Sequence, residues 1–287
     1  MVLEHSVTRK YLIKEEGKIQ TSMGEISKAI DMDLKRTVAV KRVHIEGDRP
    51  ADLNTNRAKA EFEVKLMLEL EQDEVHIPRI YDFWYNAKAR DLYIVMEWVY
   101  GETLHEKMGN MTSYAFLSYM KDLCTILEAM SKRRLYHKDI KPENIMITKR
   151  GTLYLIDFNI SLSVANLEEG TEFYRAPEME RGSQTTARDK VDMFAIGVMM
   201  YQFYAGHLPK KPVDYAKGSS FGSKKNCWAK FKEPKDYKPD LPKDINDVIV
   251  RCMKYAPNER YSNIQALRRD LEQCIRSQKG QRRPSYR

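Results

Sequence analysis

The chain has 287 residues, with 49 Lys and Arg against 41 Asp and Glu, for a formal net charge of +8. Hydrophobic residues make up 42% and charged residues 31%, enough to fill a core and solvate its surface, and no run approaches the roughly 20 apolar residues that cross a bilayer. Met1-Val2-Leu3-Glu4-His5 lacks the basic and apolar run of a secretory leader, and Cys124, Cys227, Cys252 and Cys274 form no CxxC pair, so reduced, buried thiols in a cytoplasmic protein are expected rather than a zinc site or disulfides.

Along the chain, Thr37 to Val43 is rich in β-branched residues and reads as a strand. Asn56 to Leu70 reads as a helix, with Phe62, Leu66 and Leu70 at helical spacing. Asp91 to Glu97 is a second strand, with a hinge expected at Glu97 to Gly101. Helices then dominate: Tyr114 to Lys132, Asp189 to Tyr204, Asp244 to Tyr255 and Ile264 to Arg276. Gly206 to Pro242 is crowded with Pro, Gly, Ser and Lys and reads as a surface loop. After Cys274 come Arg276, Lys279, Arg282, Arg283 and Arg287 with no acid. This reads as a solvated, mobile tail, suited to an acidic protein partner more than to nucleic acid. A strand-rich first third before a helix-rich remainder implies an α+β chain of two lobes with a cleft between them, where small molecules bind most often. The expected division is 1–99, 100–276 and a tail of 277–287.

The chemistry-bearing segment is His137-Lys138-Asp139-Ile140-Lys141-Pro142-Glu143-Asn144, followed thirteen residues on by Asp157-Phe158-Asn159 and then by Ala176-Pro177-Glu178. In this ordered series the chain resembles the eukaryotic-type (Hanks-type) serine/threonine protein kinases, over about Tyr11 to Ile275. The resemblance implies the two-lobed kinase fold, with a small β-rich N-lobe and a larger, mainly helical C-lobe. It also implies transfer of the ATP γ-phosphate, with Mg²⁺, to Ser/Thr hydroxyls of a protein substrate.

Phosphoryl transfer asks the protein for position and charge stabilisation rather than covalent chemistry. By the resemblance, Asp139 orients the substrate hydroxyl and accepts its proton, and Lys141 offsets charge at the γ-phosphate. Asn144 and Asp157 offer hard oxygen ligands to Mg²⁺. Lys41, closing Val38-Ala39-Val40, matches the strand lysine that holds the α- and β-phosphates, with Glu63 as the best match for its helix partner and Glu61 as the nearest competitor. Met96-Glu97-Trp98-Val99 resembles the hinge: adenine bonds the backbone of Glu97 and Val99, with Met96 at the back. Ile26, Ala39 and Met146 sandwich the purine, and Gly24 is the last glycine of the phosphate loop. Glu178 is expected to pair with Arg260, and Asp192 to brace the catalytic loop.

Three positions depart from the pattern. Ile19 and Thr21 stand where the other loop glycines belong and Gly17 is out of register, which predicts a looser loop and weaker ATP binding. Asn159 replaces a glycine, a substitution that still tolerates positive φ. Lys138 replaces the arginine that normally forks onto an activation-segment phosphate, and Glu168 or Glu169 is the partner it is left with. The segment's hydroxyls are Ser161, Ser163 and Thr171, which together predict activity without phosphorylation there. Two rival readings follow: a pseudokinase scaffold, suggested by the altered glycines, and a kinase-like phosphotransferase acting on a small molecule.

Overall fold

β-branched and aromatic residues alternate through the first hundred positions, and six strands result. They are β1 (Tyr11–Ile13), β2 (Ile19–Thr21), β3 (Gly24–Asp31), β4 (Arg36–His44), β5 (Ile80–Asn86) and β6 (Asp91–Glu97). The computed structural model describes residues 10–13, 18–21, 24–158, 171–179, 188–209 and 232–281. These fall into two units, Met1–Gly101 with Thr148–Leu167, and Glu102–Ile147 with Glu168–Arg287.

In the first unit the sheet runs antiparallel in the order β1-β3-β4-β6-β5, with β2 also on β3. Residues opposite one another across a ladder share a face. One face buries Tyr11, Ala29, Val38, Val40 and Val95 beneath Tyr81, Trp84 and Tyr93. The rings of Tyr11, Trp84 and Tyr93 lie parallel at 6.1 and 5.1 Å. The opposite face carries Ile26, Lys41 and Ile94 in register, and beside them Lys28, Ala39 and Met96. Asp31 fixes the β3–β4 hairpin by accepting from the Asp33 and Leu34 amides and from Arg36 Nε.

Helix α1 (Pro50–Leu70) starts on a proline in its first turn, where a missing N–H costs nothing. It therefore begins six residues before the expected Asn56. Its buried stripe is Ala60, Val64, Met67 and Leu70, while Phe62 is 59% exposed; of the residues expected at helical spacing, Leu70 is buried, Leu66 is half-buried and Phe62 faces out. Strands β8 (Ile145–Thr148) and β9 (Leu153–Leu155) follow much later, after β7 (Gly101–Thr103). The Leu155 amide donates to the His76 carbonyl at 3.1 Å, which ties this late segment into the first unit.

The second unit is helical. Thr103 caps α2 (Leu104–Met108) in a reciprocal box with Glu106, and Thr112 caps α3 (Ser113–Lys132). Along α3, Phe116, Leu117, Met120, Leu123, Cys124, Leu127 and Met130 form the buried stripe. Helix α4 (Arg188–Ala205) is buried on almost every side, from Val191 to Tyr201, as expected of a helix apolar all round. A Cβ on its Gly197 would lie 2.6 Å from Cys252 Cβ; glycine lets α4 close onto α6 (Lys243–Cys252), which ends three residues before the expected Tyr255. Between them runs the short α5 (Pro234–Tyr237), and α7 (Ile264–Gln281) completes the unit.

Helix α7 corrects the expected tail: residues 277–281 are helical. Ser277 Oγ donates to the Gln273 carbonyl, and Gln278 Nε2 reaches Ser113 Oγ at 2.6 Å. Among the described residues no helix is long and apolar enough to cross a membrane.

Candidate active site

The first unit assembles the nucleotide-side candidates. Lys41 sits mid-strand on β4 and its side chain is 1% exposed, yet its ammonium is well partnered: Nζ donates to Asp157 Oδ1 at 2.6 Å and to the Phe158 carbonyl at 2.8 Å. Burying an ammonium without such partners would be costly. Asp157 follows β9 with φ of 57°, a left-handed conformation that a non-glycine residue adopts under constraint. Phe158 is buried at 5% exposure. Backbone α1 carries Glu63, but its side chain lies outside the described residues; the partners seen for Lys41 are Asp157 and Phe158.

Ala39 pairs with Met96, and Ile26 with Lys41, so these candidates line one face of the sheet. Ala39 and Met96 are 6% and 8% exposed. The Glu97 amide donates to the Arg79 carbonyl at 2.8 Å, which fixes the hinge where it leaves β6; Val99 follows two residues on. Ile19 and Thr21 are strand residues, with Thr21 opposite Gly24 across a two-residue connection. Gly24 has φ of 137° and a Cβ there would lie 1.9 Å from the Arg42 carbonyl oxygen. Its glycine is required by close contact with β4.

The second unit assembles the transfer-side candidates. Asn144 Nδ2 donates to the Asp139 carbonyl at 2.8 Å and to Asp139 Oδ2 at 3.0 Å. Both amide hydrogens are thereby directed at Asp139, and Asn144 Oδ1 is turned away as an available oxygen donor. Lys141 Nζ lies 3.0 Å from the same Oδ2. Asp139 Oδ1 is buried and makes no hydrogen bond among the described residues. Met146 is half-buried on β8.

Scaffolding holds this loop. The amides of His137 and Lys138 donate to Asp192 Oδ2 and Oδ1 at 3.1 and 2.8 Å. Burial pushes the Asp192 carboxyl up to about 6, against the pull of those two amides. Lys138 itself has φ of 66°. Arg260 grips Glu178 with both terminal nitrogens, at 2.7 and 2.8 Å, and spends its remaining donors on the carbonyls of Lys254, Lys190 and Tyr255. Both expected pairings are present.

The sequence reading named Lys41 and Asp157 separately, and the structure joins them in one unit and brings Asp139, Lys141 and Asn144 together in the other. It missed the Lys41–Asp157 bond, for which no local spacing gives a signal. Asn159, Ser161, Ser163, Asn166, Leu167, Glu168, Glu169 and Cys227 lie outside the described residues, as does the side chain of Thr171. Cys124, Cys252 and Cys274 are free and buried, as expected.

A family model described as protein kinase domain matches residues 18–271. The serine/threonine-protein kinase PksC of Streptomyces coelicolor is 29% identical over 284 residues, covering 88% of this chain and 46% of the relative. PrkC of Bacillus subtilis, also a serine/threonine-protein kinase, is 26% identical over 261 residues, 87% of this chain and 38% of the relative. An Aurora kinase of Patiria pectinifera is 27% identical over 217 residues, 72% of this chain and 50% of the relative. The chain thus spans less than half the length of these two bacterial relatives.

Proposed function

The chain belongs to the protein kinase domain family, and on that premise we propose that it is a serine/threonine protein kinase, moving the γ-phosphate of ATP to a protein hydroxyl. The observation that carries this reading is Asp139. Its Oδ2 and backbone carbonyl are occupied by Asn144 and Lys141, while Oδ1 is shielded from water without a donor. An unsatisfied buried acceptor costs about 1–3 kcal/mol, and a catalytic role is one reason a native structure keeps one. The substrate hydroxyl is assigned to this carboxylate, which receives its proton as the hydroxyl oxygen bonds to phosphorus and ADP leaves.

The donor set fits a metal carried on the nucleotide. Among the described residues no cluster of three or more His, Cys, Asp or Glu is arranged to hold an ion. Asp157 and Asn144 each offer one hard oxygen, and Mg²⁺ is commonly held by one or two protein oxygens plus substrate phosphates. When bound, Mg²⁺ neutralises phosphate charge. Lys41 binds the phosphates by exchanging part of its contact with Asp157 for them, and Lys141 steadies the transferring group. On the first unit Ile26, Ala39 and Met96 line the purine, the backbone of Glu97 and Val99 reads its edge, and Gly24 lets the loop approach the phosphates; Met146 is the second unit's candidate contact. The family pattern assigns Glu63 as the helix partner of Lys41. A protein acceptor, rather than a small molecule, is supported by the Ala176-Pro177-Glu178 segment that Arg260 anchors.

The test is incubation with γ-labelled ATP, Mg²⁺ and a generic protein such as casein, followed by phosphoamino-acid analysis. Phosphoserine and phosphothreonine that vanish in Asp139→Asn support the proposal. Nucleotide binding without any transfer by the wild-type chain turns the reading to a scaffold.

A further inference from the structure

Lys28 has no place in the chemistry above, yet its surroundings are specific. It stands on β3 opposite Ala39, which is itself opposite Met96, so its side chain rises from the same sheet face as the proposed purine contacts. Its ammonium lies 5.0 Å from the centre of the Trp98 ring and 5.5 Å from that of Tyr100, both within the roughly 6 Å at which an aromatic face attracts a cation. Trp98 separates Glu97 from Val99, and residues 98–100 have no regular secondary structure. A segment of that kind gains no fixed direction from a hydrogen-bond ladder. Beyond the Glu97 amide bond to Arg79, side-chain contacts must set its peptide planes.

We propose that Lys28, Trp98 and Tyr100 form a cation–aromatic clip that positions the hinge backbone for the nucleotide base. The inference rests on the kinase reading of Glu97 and Val99. Holding the alternate residues 98 and 100 from one strand lysine fixes Val99 between them and the peptide group that joins Glu97 to Trp98. The ordering cost of the hinge is then met in the free protein rather than on binding, which raises affinity without new ligand contacts. Lys28 is a positioning residue: it acts on ground-state binding of the base and leaves phosphoryl transfer alone.

The experiment compares wild type with Lys28→Met, Lys28→Arg and Tyr100→Leu. Calorimetric titration with ADP and Mg²⁺ measures affinity, tryptophan emission reports on the Trp98 ring with Trp98→Phe as its control, and steady-state kinetics follow. Lys28→Met keeps length and apolar stem but removes the charge. It is expected to weaken nucleotide affinity and raise the KM for ATP roughly 3- to 20-fold, with turnover at saturating ATP held and with a change in Trp98 emission. Lys28→Arg retains a cation and restores affinity; Tyr100→Leu, at a side chain that is already 61% exposed, shifts affinity in the same direction as Lys28→Met. Lys28→Met that binds ADP as tightly as a binding-competent wild type overturns the clip and leaves the kinase reading intact. A wild-type chain that binds no nucleotide overturns both.

Discussion

Lys41 Nζ is held 2.6 Å from Asp157 Oδ1 across 116 positions of chain, with the Lys41 and Asp157 side chains 1% and 9% exposed. Breaking a buried pair from one side leaves an uncompensated charge and costs about 3–5 kcal/mol. Lys41→Met and Asp157→Asn are each expected to destabilise the fold by that order. The double variant should be less destabilised than the sum by about 0.5–3 kcal/mol, read by urea denaturation. Additive costs would contradict a direct pair.

Gly24→Ala meets two obstacles, a φ of 137° and a carbonyl oxygen 1.9 Å from the new Cβ. Backbone strain of this kind costs about 1–3 kcal/mol. Because the strain falls on the β3–β4 contact beside the phosphate loop, a raised KM for ATP should accompany a lower melting temperature. An alanine variant with wild-type values for both would refute the close contact.

Asp192 ties stability to pH through the backbone of His137 and Lys138. Burial holds its carboxyl at about 6, above the roughly 3.9 of an unfolded chain. Between about pH 4 and 6 the native state therefore binds more protons than the unfolded one, and this carboxyl's contribution to stability falls as pH rises through that window, then levels off. Asp192→Asn does not titrate and turns an amide N–H₂ toward the donors of His137 and Lys138, costing about 1–3 kcal/mol. The stability gap between wild type and variant should be larger at pH 4.5 than at pH 7.5. A gap independent of pH would place the carboxyl at its ordinary value.

Arg260 is fully buried at its side chain, against 11% exposure for Glu178. Glu178→Ala removes both carboxylate oxygens from a guanidinium with no route to water, and a loss of about 3–5 kcal/mol is expected. Glu178→Gln keeps one acceptor and should lose less. Equal losses, measured by denaturant titration, would mean that packing rather than charge sets the cost.

The Glu178–Arg260 and Asp192 pairings were legible in the sequence because motifs fix them: each residue sits in a recognisable run, and the partner follows from the family pattern. Element positions were legible where apolar residues repeat, as in α3. They were less so in α1, where Phe62 keeps helical spacing but faces solvent while Ala60 and Val64 are buried. A period of 3.6 residues identifies a helix; only tertiary packing chooses its inner face. The end of α7 was misread because Ser277 and Gln278 are polar, and their order comes from hydrogen bonds to Gln273 and, far away in sequence, Ser113. The return of 148–158 to the first unit and the Lys28 clip are long-range contacts of the same kind, which no local pattern encodes.

Asp139→Asn separates binding from chemistry most directly. It keeps the side chain's shape but removes the carboxylate proposed to take the proton. The account predicts an ADP affinity within about twofold of wild type, with protein phosphorylation reduced roughly 10²- to 10⁴-fold. Transfer by the variant at the wild-type rate would contradict it.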